Sequence, residues 1–280
     1  MRGVPSASAA LQPFSAVVLT GGSSGIGKSF IKLIRKLKPD LVVCNLSRRD
    51  PAEFFSAADR QFLNHFACDL SRPAELAAAA AKVTAFVEGE APPGPVLLIN
   101  NSGFGAFTPF PEPNLERQLE MVDVNVRAVV HLTGLLLPLL RRRGGAIMNV
   151  ASVVGFMPTP QAATYGATKA FVLNWTVALN DELRAANTGV RAIAVCPGTT
   201  ATSFFDVAGV GKAGMKAGMT MTTAEVVTIA LEALAAGKVQ VVTGWKNRLM
   251  TFAATCVSKP WAASITGAVL RRMRPPGGGA

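Results

Sequence analysis

Along the chain, apolar and polar positions fall into two alternating kinds of segment. Short runs with little polar alternation are AVVLT (16–20), LVVCNLS (41–47), FACDL (66–70), VLLIN (96–100), AIMNVAS (146–152), VRAIAVCP (190–197) and VQVVTG (239–244). Strands buried on both faces of a parallel sheet read this way, because neither face meets water. Between them lie helical patterns: KSFIKLIRKL (28–37), RPAELAAAAAKVTAFV (72–87), NLERQLEMVDVNVRAVVHLTGLLLPLL (114–140), YGATKAFVLNWTVALNDELRAA (165–186) and TAEVVTIALEALAAG (223–237). Asn114 and Thr223 are the expected N-caps, and Gly189 and Gly237 the expected helix stops. Regular alternation of this kind predicts an α/β fold, a doubly wound parallel sheet with helices on both faces.

Length and composition fit one large core: 280 residues, half of them apolar. The opening MRGVPSASAALQPF lacks the long apolar stretch of a signal peptide, so residues 1–13 are expected to be a disordered leader. No run approaches the roughly 18 consecutive apolar residues of a membrane span. Cys44, Cys68, Cys196 and Cys256 are scattered without a C-x-x-C pair, which argues against metal binding or a disulfide framework and for reduced thiols in a cytoplasmic protein. The net charge of +11 is uneven: after Glu232 there is no acid, while Lys238, Lys246, Arg248, Lys259, Arg271, Arg272 and Arg274 follow. Residues 246–280 thus form a basic, partly apolar extension that either contacts anionic lipid or an acidic ligand, or is a solvated tail. Nucleic acid is disfavoured, because aromatics do not interleave with the cations.

Candidate chemistry begins at VVLTGGSSGIGKSF, directly after the first strand and opening the first helix. Gly21, Gly25 and Gly27 remove side chains where a pyrophosphate must approach the backbone, and the helix N-terminus offers free N–H groups. Gly21, Ser23, Ser24, Gly25, Ile26 and Gly27 are the candidate contacts. The second strand ends in NLSRRD, offering Ser47, Arg48 and Arg49 where a carboxylate would read a ribose 2′-hydroxyl. Guanidinium suits a 2′-phosphate, which argues for NADP(H) over NAD(H). The alternative makes both arginines surface charges and Asp50 the ribose reader.

The only tyrosine, Tyr165, stands four residues before Lys169 in an otherwise small and apolar helical segment. Residues four apart share a helix face, and a nearby ammonium favours ionisation of a phenol whose ordinary pKa is near 10. Tyr165 is therefore the expected proton donor or acceptor, and Ser152, at the end of the fifth strand, can hydrogen-bond the same substrate oxygen.

TGGSSGIG (20–27), CDL (68–70), NNSG (100–103), Asn125 in VDVNV, Ser152, YGATK (165–169) and PGTTAT (197–202) together resemble the short-chain dehydrogenase/reductase family, in order and spacing, from about Ser15 to Gly244. Ser102 replaces the usual alanine of NNAG. The resemblance implies a Rossmann-type seven-stranded sheet in residues 14–245, a nicotinamide cofactor, and a catalytic tetrad of Asn125, Ser152, Tyr165 and Lys169. It implies that Asp69 and Leu70 contact the adenine and that Asn101 and Gly103 line its pocket. Lys169 would also hold the nicotinamide ribose, and Pro197, Gly198, Thr200 and Thr202 the carboxamide. Asn125 would hold a water linking Lys169 to solvent. A homodimer or homotetramer, built partly from the helices around Asn125 and after Tyr165, is likewise implied. Motifs such as NNSGFGAFTPF and GWKNRLM resemble a bacterial reductase subgroup and, more distantly, 3-ketoacyl-CoA and 17β-hydroxysteroid reductases. That similarity suggests a lipophilic carbonyl or alcohol as the small-molecule substrate. Its expected pocket uses Val154 and Phe156 with Phe204 and Phe205 of loop 201–223; Met215, Met219 and Met221 either join that lid or pack inside.

Overall fold

The computed structural model describes residues 5–201 and 220–273. Seven parallel strands form one sheet in the order β3-β2-β1-β4-β5-β6-β7. They are β1 (Ala16–Thr20), β2 (Val42–Ser47), β3 (Leu63–Ala67), β4 (Val96–Asn100), β5 (Gly145–Val150), β6 (Val190–Cys196) and β7 (Gln240–Val242). β1, β2 and β4 are buried at every position, the polar Asn45 and Ser47 of β2 included. The third strand lies three residues earlier than its apolar run suggests. Leu63–Ala67 is an edge strand, paired only with β2, so it accepts the polar Asn64 and His65.

The helices are α1 (Ala7–Leu11), α2 (Gly25–Leu37), α3 (Ala57–Arg60), α4 (Pro73–Gly89), α5 (Leu115–Val122), α6 (Ala128–Arg143), α7 (Ala163–Ala185), α8 (Thr223–Ala235), α9 (Trp245–Thr255) and α10 (Lys259–Met273). Two cores fill the faces of the sheet. One joins Phe30, Ile31 and Ile34 of α2 to Val227, Ala230 and Leu231 of α8 across Val17, Leu19, Leu97 and Ile99. The other joins Leu76 and Val83 of α4 to Leu132, Leu136 and Leu139 of α6 across Val18, Cys44 and Leu98. Asn114 caps α5 as expected, its Oδ1 accepting from the Arg117 N–H at 2.8 Å. The N-cap of α8 is Thr222 rather than Thr223: its hydroxyl accepts from Glu225 N–H, and the Glu225 carboxylate accepts from Thr222 N–H at 2.8 Å.

The expected disordered leader is corrected. Ser6 caps α1 through a bond from Ala9 N–H, and Ala7, Ala10, Leu11 and Phe14 join the core beside α8. Four small or apolar side chains over eight residues are too few for a periodic signal, yet enough to seal one edge of that core. The long pattern at 114–140 is one continuous helix interrupted by a π turn over Asp123–Arg127. Among the described residues, Leu115–Arg143 is long and apolar enough to cross a membrane. Its residues Met121, Leu132, Leu136, Leu139 and Leu140 are instead buried within the fold.

A buried polar ladder pins α6 and α7 to the sheet. Asn100 Nδ2 donates to Thr133 Oγ1 at 3.1 Å and to Asn149 Oδ1 at 2.8 Å, and Asn149 Nδ2 donates to Thr176 Oγ1 at 2.8 Å. Every member is partnered, so the ladder fixes the heights of two helices without leaving an orphaned group.

Candidate active site

The turn between β1 and α2 is held open from below. Thr20 Oγ1 accepts from both Asn101 N–H and Ser102 N–H at 3.0 Å, and Asn101 Nδ2 donates to Thr20 O at 2.9 Å. Gly21 takes φ +75°, a left-handed conformation that favours glycine. A Cβ at Gly27 would lie 2.1 Å from the Gly21 carbonyl oxygen, so the first turn of α2 can approach the loop only without a side chain. Gly21, Ser23, Ser24, Gly25 and Ile26 all face one cleft of about 840 Å³. The thirteen-residue α2 presents its N-terminus there, and no side chain caps it. These residues fit a pyrophosphate: the backbone is bared and the dipole favours an anion.

Further along the same cleft lie Ser47 at the end of β2 with Arg48 and Arg49 after it, Asp69 and Leu70 after β3, and Asn101 and Gly103 after β4. Ser47 Oγ donates to Arg49 O at 2.7 Å, setting the path of the arginine turn. Asp50 turns elsewhere, accepting from Ala52 N–H at 2.8 Å at the start of the following short helix. Burial works against the Asp69 carboxylate. The Ser71 hydroxyl and N–H nevertheless hold its pKa below the ordinary value, helped by Arg48 and Arg72.

At the other end stand the four residues of the expected tetrad. Ser152, just past β5, hydrogen-bonds the Tyr165 phenol and donates to Pro197 O at 3.4 Å. Lys169 Nζ donates to Val150 O at 2.8 Å and lies 6.0 Å from the Tyr165 ring centre. All three side chains are buried. Burial pushes the Tyr165 phenol up to about 12, against a smaller opposite pull from Ser152, and draws the Lys169 ammonium down to about 8. The protein alone therefore holds Tyr165 protonated: desolvation outweighs the expected pull of an ammonium that is itself disfavoured. Asn125 sits in the π turn, a local widening common at functional sites. Its Nδ2 donates to Phe104 O at 2.9 Å and Thr168 Oγ1 at 3.1 Å, and its Oδ1 accepts from Phe104 N–H at 3.1 Å. Both amide hydrogens are thus committed to protein groups.

Pro197, Gly198 and Thr200 line the cleft as expected, and Thr200 Oγ1 donates to Gly198 O at 2.9 Å. Thr202, Phe204, Phe205, Met215 and Met219 lie outside the described residues. Val154 lines the cleft, but Phe156 does not. Its ring packs towards β7 and Met250, in a separate surface depression. Phe104 and Phe107 also face the cleft, and the sequence does not single them out. Met157 faces it from the expected wall segment 153–161, and the C-terminal region contributes through Met250 and Ala254 of α9 and Ile265 and Val269 of α10. The expected boundary at 245/246 therefore cuts the first turn of α9. The buried Asn247 lies against Gly198, where a Cβ would stand 2.2 Å from its Nδ2, and Thr266 Oγ1 of α10 donates to Pro158 O at 2.7 Å. Helical spacing in 245–270 could have suggested these helices, but nothing local tells which side faces a site nearly 100 residues earlier.

The profile described as short chain dehydrogenase matches residues 15–210. The chain belongs to the short-chain dehydrogenase family. An uncharacterized oxidoreductase of Staphylococcus epidermidis (SERP2049) is 32% identical over 188 residues, covering 65% of this dehydrogenase and 76% of that protein. The ketoacyl reductase HetN of a Nostoc species is 31% identical over 186 residues, covering 65% of this chain and 62% of its own. Among solved structures, a short-chain dehydrogenase from Sphingobium yanoikuyae in complex with NADPH superposes with a TM-score of 0.68. It is 27% identical and covers 95% of this chain and 99% of its own. As a family member, the protein is an oxidoreductase acting on carbonyl or alcohol groups.

Proposed function

We propose that this dehydrogenase transfers hydride reversibly between NADP(H) and a lipophilic ketone or secondary alcohol. One observation carries the reading: the Ser152–Tyr165 hydrogen bond, with Lys169 beside it, closes the end of the same cleft that starts at the glycine turn. The phosphate preference rests on Arg48 and Arg49 lining that cleft while Asp50 is engaged with Ala52. The NADPH complex of the Sphingobium relative agrees with it. The substrate class rests on the apolar wall that shares the cleft with Tyr165, built of Phe104, Phe107, Val154, Met157, Ile265 and Val269.

When bound, the nicotinamide supplies hydride and, once oxidised, a positive charge near the phenol. Gly21 to Gly27 would hold its pyrophosphate, Asp69 and Leu70 would border the adenine, and Arg48 would meet the 2′-phosphate. Tyr165, kept protonated by burial, donates its proton to the carbonyl oxygen as negative charge develops there. The Ser152 hydroxyl donates its one hydrogen to the same oxygen. Lys169, with a pKa of about 8, returns a proton towards Tyr165 and stabilises its anion. Asn125 acts through others: it ties the Phe104 backbone to Thr168, whose hydroxyl donates to Tyr165 O at 2.7 Å. Assayed over a panel of carbonyl compounds by loss of NADPH absorbance, Tyr165→Phe should abolish turnover of any substrate found while NADPH affinity stays nearly unchanged. Substantial residual turnover would remove Tyr165 from this role.

A further inference from the structure

α9 is amphipathic with the usual sides exchanged. It buries Asn247 and Thr251, 5% and 4% exposed, and leaves Trp245, Leu249 and Phe252 at 70%, 63% and 69%. These three stand at i, i+4 and i+7, one stripe along the outer face. A surface helix ordinarily turns such a stripe inward, so three large apolar side chains aligned in water point to a partner. Trp261, at the start of α10, is also 70% exposed.

The surrounding charges choose that partner. Helical spacing places Lys246 on one flank of the stripe and Arg248 on the other. Beside Phe252, Lys238 and Arg248 line a shallow depression together with Thr251 and Thr255. Neither Lys238 nor Arg248 is in an ion pair among the described residues. From Lys238 onward the chain carries seven Lys and Arg and no Asp or Glu. A second copy related by a two-fold axis would press this patch against itself, cation on cation. A bilayer rich in anionic lipid offers apolar depth under negative headgroups, and indole rings favour that boundary.

We propose that α9 docks this protein on an anionic membrane surface. Trp245, Leu249 and Phe252 enter the headgroup–acyl boundary, and Lys238, Lys246 and Arg248 meet lipid phosphates. The opposite side of α9 carries Met250 and Ala254, which line the cleft, so a lipid-borne substrate would be admitted beside the docked helix. The proposal goes beyond hydride transfer and stands or falls separately from it.

The test is co-sedimentation of the full chain with phosphatidylcholine vesicles, with and without phosphatidylglycerol. Sedimentation should require phosphatidylglycerol and weaken with salt. Lys246→Gln with Arg248→Gln should cut the partition coefficient by roughly fivefold per charge removed. Trp245→Ser with Leu249→Ser and Phe252→Ser should cut it at least about tenfold. Circular dichroism and NADPH titration confirm that each variant is folded. Equal sedimentation of the parent and triple variant, or none with either vesicle, overturns the proposal. So does a triple variant that turns a dimer into a monomer by light scattering while the parent ignores vesicles, which would give the stripe to a second copy.

Discussion

Lys169 is held in the cleft at a cost, and replacing it should stabilise the protein. Its pKa is drawn from 10.5 to about 8, first by burial and only weakly opposed by Cys196. A gap of about 2.5 pH units, at about 1.36 kcal/mol per unit, makes the buried ammonium unfavourable by about 3 kcal/mol. The sign follows from proton counts. Below pH 8 both folded and unfolded chains hold the proton, and the cost is fully present. Between pH 8 and 10.5 the unfolded chain still holds it while the folded chain has released it, so stability rises with pH. Lys169→Met keeps the length of the side chain and removes the charge, at the loss of one hydrogen bond to Val150 O worth about 1 kcal/mol. The variant should therefore be more stable than the parent by about 2 kcal/mol at pH 7.

Urea denaturation at pH 7, 8, 9 and 10 reads this as the difference between the two proteins. The difference matters because Cys44, Cys68 and Cys196 are pushed up to about 12, 11 and 12, mainly by burial. A raised pKa means the folded chain holds its proton longer, so these thiols remove stability as pH climbs above 9. Tyr165 does so from pH 10. Those groups are present in both proteins and largely cancel. The gap should stay constant up to pH 8 and close steadily above it. A variant less stable than its parent at pH 7, or a gap indifferent to pH, would show that Lys169 is not held against a desolvation cost.

Other substitutions test the cofactor end and the π turn. Arg48→Asp should raise the KM for NADPH at least about tenfold and leave that for NADH nearly unchanged, since only the first carries a phosphate for the guanidinium to meet; equal effects would remove Arg48 from that role. Gly27→Ala puts a methyl 2.1 Å from the Gly21 carbonyl oxygen, a backbone atom, and should weaken NADPH binding at least about tenfold by fluorescence titration. Unaltered affinity would mean that the turn does not cradle the pyrophosphate. Asn125→Ala removes three hydrogen bonds to Phe104 and Thr168 and should cost about 2 to 3 kcal/mol in denaturant melts, with Asn125→Asp recovering part of it. A loss below about 0.5 kcal/mol would mean those bonds do not hold the π turn in place.

What could be read without coordinates followed contiguity along the chain. Buried strands with no polar alternation were placed within a residue or two, and the glycine turn stands out because its residues are adjacent in sequence. β3 was displaced because an edge strand is half solvated and carries no continuous apolar run. Helical spacing puts Tyr165 and Lys169 on one face, but it says nothing of the desolvation that raises the phenol and lowers the ammonium. Phe156 belongs to the expected substrate pocket together with Val154. In the structure a 3-10 turn at Val153–Phe156 keeps Val154 facing inward and directs Phe156 towards β7. α1, α9 and α10 declare their roles only through contacts with remote residues, and a local pattern cannot report those.

Gly25 and Tyr165 are 140 residues apart, and topology alone brings them to one cleft. Because every strand is parallel, all seven carboxyl ends lie on one edge, where Gly21, Arg48, Cys68, Asn101, Ser152, Pro197 and Asn247 follow β1 to β7 in turn. The order also reverses between β1 and β4: β2 and β3 extend to one side, and β5 to β7 to the other. The loops leaving β1 and β4 must therefore diverge, and a crevice opens between them. Its floor would expose the Asn101 and Ser102 amides if Thr20 did not accept from both. The nucleotide half and the proton-transfer half meet across that floor. Their relative position is thus set by sheet register and one threonine hydroxyl, and loop variation above the edge can change the substrate without moving either half.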